Sequence, residues 1–183
     1  RDGRAAAERA GAVRAGRVPH VVALSSAGAQ LAEGSGIVRI LHDFERELTG
    51  SAPSVVFLRA GDFMENWAAM LPVAREAGTL PSAKMPLEAR SGAVSVLDVA
   101  QTAAELLHEP RRGTRIVNLE GPAGYSALDA AAIPTKLLGK PVAAVPMSRD
   151  ETVAGLRAIG ASEDYASKIA DLNDAINAGR MSF

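Results

Sequence analysis

The sequence predicts an α/β fold built on parallel strands. Two apolar runs of strand length, at 20–24 and 54–58, and a further strand at 115–119 each end in a loop that contains Gly. Segments with helical spacing of apolar residues separate them, and this alternation is the mark of α/β proteins. Continuous apolar runs, without polar alternation, are what parallel strands covered on both faces show.

Taken in order, residues 4–17 are rich in Ala, Glu and Arg and read as a helix ending near Gly16, before Pro19. His20-Val21-Val22-Ala23-Leu24 is the first strand, with its loop at Ser25-Ser26-Ala27-Gly28. After a polar loop to Gly36, the spacing of Ile37, Ile40, Leu41, Phe44 and Leu48 predicts an amphipathic helix over 37–49. Ser54-Val55-Val56-Phe57-Leu58 repeats the strand signature, so residues 20–61 spell one β-α-β unit with parallel strands. Phe63–Leu71 reads as a short helix, and the Pro- and Gly-punctuated stretch to Pro86 as loop with one short extended piece.

Asp98 is expected to cap a helix through Leu107, stopped by Pro110, and Arg115–Leu119 is a further strand. Ser126 and Asp129 have capping-box spacing for a helix to Leu138 that Gly139 closes. Pro134 inside it removes a hydrogen bond and is expected to kink or split it. Val142–Val145 is a short strand, Ser148 with Glu151 boxes a helix to Ile159, and Ser162 opens a last helix terminated at Gly179.

Composition excludes several classes of function. The 183 residues are 48% hydrophobic and 22% charged, which is globular composition and not that of a disordered or fibrous chain. Twenty Lys and Arg against 21 Asp and Glu leave a formal charge of −1, so a nucleic-acid partner is not expected. With no cysteine and three scattered histidines there is no thiolate chemistry and no metal centre to expect, and a reducing, cytoplasmic setting fits. No apolar run approaches the ~20 residues that span a bilayer. Neither G-x-G-x-x-G nor G-x-x-x-x-G-K-[ST] follows any strand, and Gly34-Ser35-Gly36 lies in mid-loop.

Ligands of open parallel sheets bind past the carboxyl ends of the strands. Ser25, Ser26, Ala27 and Gly28 after one strand, and Arg59, Ala60 and Gly61 after the next, therefore stand where a ligand would. The plainer alternative is that they are small turn residues. Phe63, Met64, Asn66 and Trp67 follow the same crevice, where Asn66 would orient an amide and Phe63 or Met64 would pack on a ring; helix-start packing is the alternative. The Tyr-x-x-x-Lys of short-chain dehydrogenases is absent from the 37–49 helix, and His42 is the proton-transfer group there, unless it is a half-exposed surface histidine. Tyr165-Ala-Ser-Lys168 has the wrong spacing and follows no strand.

The strings His20–Gln30, Gly34–Gly36, Leu41–Glu45 and above all Phe57-Leu58-Arg59-Ala60-Gly61-Asp62-Phe63-Met64-Glu65-Asn66-Trp67, with Val94–Ala100, Asn118–Pro122, Tyr125-Ser126 and Leu138–Val142, resemble the NmrA-like family of atypical short-chain dehydrogenases. The resemblance implies the later strands of a Rossmann-like parallel sheet over 1–122, with 63–92 as an inserted segment, and a small, mostly helical substrate lobe over 123–183. It implies NADP or NAD as cofactor, with Ser25, Ser26, Ala27, Gly28, Ala60, Gly61 and Phe63 along the nicotinamide half; by their position past the strand, Arg59 joins the cofactor-binding candidates and Met64, Asn66 and Trp67 are the substrate candidates. Members are NAD(P)H-dependent reductases, quinone reductases included, or regulators that bind the dinucleotide without consuming it. Many carry a Lys where Leu41-His42 stands here.

Family chains also place a strand, a Gly-rich turn and further strand–helix units before the position that is Arg1 here, so this chain is expected to be an incomplete copy. The 20–24 strand would then show an apolar edge, which a missing segment or a second copy in a homodimer would cover. The expected function is NAD(P)H-dependent reduction of a quinone or small carbonyl acceptor. The alternatives are a non-catalytic NAD(P) sensor or a remnant without cofactor binding.

Overall fold

The computed structural model describes residues 2–181. The chain runs α1 (Asp2–Ala15), β1 (His20–Ser26), a 3-10 turn at Gly36–Val38, α2 (Arg39–Leu48), β2 (Ser54–Ala60) and β3 (Asp62–Phe63). A second 3-10 segment at Met64–Met70 leads into α3 (Leu71–Ala77), β4 (Thr79–Ser82), β5 (Ser91–Val94), α4 (Val96–His108) and β6 (Gly113–Leu119). The remainder is β7 (Gly124–Tyr125), α5 (Ala127–Leu138), β8 (Ala143–Pro146), α6 (Arg149–Ala158) and α7 (Glu163–Asn177).

The predicted α/β class and its parallel sheet are present: β1, β2 and β6 form a parallel sheet in that order. His20 lies opposite Ser54, and Ser54 opposite Gly113, so the three carboxyl ends finish level at Ser26, Ala60 and Leu119. The central strand is buried along its whole length because helices cover both faces. Val55 and Phe57 pack with Ala10 of α1 and Leu48 of α2, while Val56, Leu58 and Ala60 pack with Val99 and Leu106 of α4. The alternation of the strand thus assigns odd-numbered residues to α1 and α2 and even-numbered ones to α4. Outside β2, the other edge of β1 pairs with no strand among the described residues, and Leu24 is half exposed there.

Three elements differ from the sequence expectation. The segment read as one short helix at 63–71 is the β3 strand and a 3-10 stretch. The regular helix comes later, at 71–77, where Pro72 occupies the first turn and Gly78 closes the end at φ 68. A first-turn proline and a terminal glycine are ordinary helix boundaries, so the punctuation that suggested loop marks a helix instead. Asp98 is not the cap of α4: the Ser95 hydroxyl accepts from the Asp98 backbone N–H, and the Glu65 carboxylate accepts from Val96 N–H. β5 carries little strand signal of its own, and it exists because β3 and β7 pair on either side of it.

The 3-10 turn before α2 begins at Gly36, whose φ of +56 suits glycine. Beyond the sheet, β4 pairs with β8, and Leu80, Ala74, Ala130, Ala131 and Val142 form a separate core. α5 runs through Pro134 as one helix, the buried ring offsetting the hydrogen bond it removes. Both capping boxes are closed in both directions, at Ser126 with Asp129 and at Ser148 with Glu151. The Ser126 backbone and hydroxyl, and then Arg90, hold the Asp129 carboxyl below its ordinary value of 3.8. A depressed folded-state pKa gives stability that is present above the unfolded value and is lost as pH falls through the folded one. Acid unfolding below about pH 4 is therefore expected to be shallower in Asp129→Asn than in the wild type, read by circular dichroism across a pH series; parallel curves would remove this contribution.

No helix among the described residues is long and apolar enough to cross a membrane, and no cluster of three His, Cys, Asp or Glu among them is placed to hold a metal.

Candidate functional site

A cleft of about 430 Å³ opens past the carboxyl ends of β1 and β2, the expected place in such a sheet. Its size falls in the small-molecule range. The floor is the strand ends themselves, Ser25, Ser26 and Ala27 from β1 and Ala60 and Gly61 from β2. Ala27 N–H donates to Ala60 carbonyl at 3.0 Å and Gly61 N–H to Leu119 carbonyl at 2.9 Å, which extends the sheet's hydrogen bonding into the loops and fixes them. Leu24, Val38, Leu41 and Phe63 wall one part, and Leu172 and Ile176 of α7 with Met181 close another. The polar groups gather at Asp62, Asn66, Lys84 and Glu120.

α7 reaches the cleft because Gly36 lets it. The Cα of Gly36 lies so close that a Cβ would stand 2.3 Å from Lys168 carbonyl oxygen and 2.4 Å from Leu172 backbone nitrogen. The spacing of Leu172 and Ile176, four residues apart, then turns one helix face inward. Lys84 arrives from the loop after β4. Its Nζ donates to Asp62 Oδ2 at 2.5 Å and lies 5.8 Å from the centroid of the Trp67 ring, while Asn66 donates to Asp62 Oδ1 at 2.8 Å.

Of the residues expected to contact a cofactor, Ser25, Ser26, Ala27, Ala60, Gly61 and Phe63 line the cleft. Two do not. Gly28 is covered by Met181, whose Cε would be 2.2 Å from a Cβ there. Arg59 is a correction with a clear cause: strand alternation turns it to the α2 face, away from Ala60. There it is buried and donates to Glu45 from Nε at 2.9 Å and from Nη2 at 2.6 Å. The Ser25 hydroxyl donates to the same carboxylate at 2.5 Å, so Ser25 borders the cleft with its side-chain oxygen already committed.

On the substrate side, Asn66 lines the cleft. Met64 does not, its Cε lying near Gly121, and Trp67 packs on the second core beneath Lys84. His42 is also outside the lining: its Nδ1 is 3.0 Å from Ala29 carbonyl, and its neighbour Leu41 faces the cleft instead. None of the three histidines borders it. Tyr165 and Lys168 lie on α7, with Lys168 Nζ paired to Asp164 at 2.8 Å.

Sequence reasoning missed Lys84, Asp62, Glu120 and the α7 face. Lys84 sits between Pro81 and Pro86, where no periodicity points anywhere; Leu172 and Ile176 were legible only as one stripe on a helix.

Against known proteins, the chain is similar to quinone oxidoreductase 2 of Escherichia coli (strain K12), 26% identical over 137 residues, 75% of this chain and 47% of that protein. It is similar to the NAD(P)H azoreductase of Xenophilus azovorans, 25% identical over 162 residues, 88% of this chain and 56% of the other. The structure of an NADPH-dependent quinone oxidoreductase from Escherichia coli superposes with a TM-score of 0.82 at 24% identity, over 97% of this chain and 64% of that one. The fold is Rossmann-like.

The triphenylmethane reductase of Citrobacter sp., in complex with NADP(H), superposes at 0.77 with 22% identity, over 97% of this chain and 62% of its own. The chain thus spans about half the length of the curated relatives it matches. No protein-family model matches it.

Proposed function

We propose that this chain carries the nicotinamide-side half of an NAD(P)H-dependent reductase of the NmrA-like kind, acting on a quinone or a small carbonyl acceptor. The observation that carries this reading is the cleft at the ends of β1 and β2, where an apolar wall and the small residues of the strand ends face a small polar cluster. Its support is the similarity to a quinone oxidoreductase and an NAD(P)H azoreductase along three quarters or more of the chain.

The residues present fit one half of such a cofactor. Leu24, Leu41 and Phe63 offer apolar surface to a flat ring, and the close-packed Ala60-Gly61 turn has no side chain bulky enough to obstruct it. The pyrophosphate half finds no partner: no glycine-rich strand–turn–helix follows β1 or β2, and Lys84 is the one cation bordering the cleft among the described residues. A bound nicotinamide supplies the hydride. The protein's share is to hold ring and acceptor together, exclude water with the α7 wall, and leave the open mouth for a proton from solvent, since His42 is turned to Ala29.

The test is consumption of NADPH and NADH by the chain with a panel of quinones and aldehydes, beside calorimetric binding and solution mass on the same sample. Acceptor-dependent oxidation is the expected result. Binding without consumption would favour a sensor, and absence of both would leave the fold without this function. The mass also reads whether a second copy covers the open edge of β1.

A further inference from the structure

We propose that Lys84 binds the acceptor's oxygen, the atom that gains negative charge on reduction, and that Asp62, Asn66 and Asn177 exist in this arrangement to aim it. The proposal rests on the reductase reading above and names the group within that cleft that meets the substrate.

Lys84 is an expensive way to make an ion pair. Its side chain is 21% exposed and that of Asp62 28%, so both heads are partly withdrawn from water. A partly exposed pair of this kind adds little to stability, while holding a lysine side chain in one geometry gives up much of its rotamer freedom. Even so, the loop is held on both sides of Lys84. Asn177 at the end of α7 donates from Nδ2 to Ala83 carbonyl at 2.9 Å and accepts from Met85 N–H at 2.8 Å. The Ser82 hydroxyl accepts from Lys84 N–H at 3.1 Å. The ammonium itself is set over the Trp67 ring and against Asp62.

Each oxygen of Asp62 has a partner in this arrangement, Asn66 on one and Lys84 on the other. Lys84 has donors to spare. An ammonium has three donors, Asp62 takes one, and the residue borders the cleft whose other walls are largely apolar. A fixed cation bordering a largely apolar cleft is an arrangement that stabilises charge developing on a substrate oxygen. With a reduced nicotinamide bound, hydride transfer would oxidise the nicotinamide and leave the acceptor as a phenolate or alkoxide, the group whose oxygen Lys84 is placed to meet. Lys84 hydrogen-bonds that oxygen, and a proton from water then neutralises it.

Two readouts test this on the full chain. For turnover, Lys84→Met is expected to lower kcat about 100-fold, with NADPH affinity unchanged by calorimetry, and Lys84→Arg to recover much of the loss. For binding, 4-nitrophenolate serves as the charged probe: Lys84→Met is expected to weaken it by about 10–100-fold and Lys84→Arg far less. Asn177→Ala, which leaves the ammonium in place but frees its loop, is expected to weaken the probe by less than Lys84→Met does. Equal probe binding by wild type and Lys84→Met, at matched thermal midpoints, would overturn the proposal. A wild type that binds the probe through Lys84 but oxidises no NADPH would keep this anion site and overturn the reductase reading.

Discussion

Glu45→Ala is expected to destabilise the protein by about 3–5 kcal/mol, a large part of what a domain of this size possesses. Glu45 and Arg59 form a two-pronged pair with side chains only 10% exposed, and Ser25 donates to the same carboxylate. Removing the carboxylate leaves a buried guanidinium with Gln30 Oε1, at 3.3 Å, as its remaining acceptor. The loss should appear as a lower midpoint in urea and heat. The companion is the triple substitution Glu45→Leu, Arg59→Leu and Ser25→Ala, expected to restore most of the stability, because none of the three side chains then needs a partner. A single variant as stable as the wild type would show that water reaches Arg59. The site is also affected: Arg59 immediately precedes Ala60, and Ser25 immediately precedes Ser26, so the pair ties α2 to both strand ends that floor the cleft.

Gly36→Ala is expected to separate α7 from the cleft. At φ +56 an alanine is strained, and its Cβ would overlap backbone atoms of Lys168 and Leu172 that cannot rotate away. Strain and forced displacement together are expected to cost about 2–6 kcal/mol. Because Leu172, Ile176 and Met181 wall the cleft, ligand binding should fall further than stability alone explains. Faster amide exchange in α7 than in β2, together with weaker 4-nitrophenolate binding, is the expected pattern. Uniform loss across the molecule would mean that α7 docking is not a separate event. Gly50, with φ +69 and no atom within 4 Å of a Cβ, is the control, since alanine there meets strain without collision.

The β-α-β unit was readable because its signals are local. Apolar runs the length of a strand, ending in Ser25-Ser26 and Arg59-Ala60, are a property of the chain itself, and the strands differ from expectation by two residues at their carboxyl ends. The capping boxes of α5 and α6 were readable for the same reason: both partners lie within three residues. β5 was not, because a four-residue Ser-Gly-Ala-Val strand is made by its neighbours, and neither was α3, whose boundary residues doubled as loop signals. At the cleft, position after a strand singled out Ser26, Ala27, Ala60 and Gly61, which line it. It could not distinguish Ala60 from Arg59, since adjacent residues of a strand point to opposite faces and the choice depends on which helix lies where.

The sequence by itself thus determined the α/β class, the parallel pair of strands, the starts of α5 and α6 set by their capping boxes, and the end of the sheet at which the cleft opens. All of these follow from periodicity, propensity and hydrogen bonds that close within a few residues. Only the tertiary structure decided the facing of each side chain and the company it keeps. It buried Arg59 with Glu45, turned His42 to Ala29, and brought Lys84 to Asp62 at the edge of one cleft, on a loop held by Asn177, which lies 115 positions (177 − 62) beyond Asp62. The physical reason is that a contact between distant residues is stabilised by the packing of whole elements, and no window of the sequence contains the two partners at once.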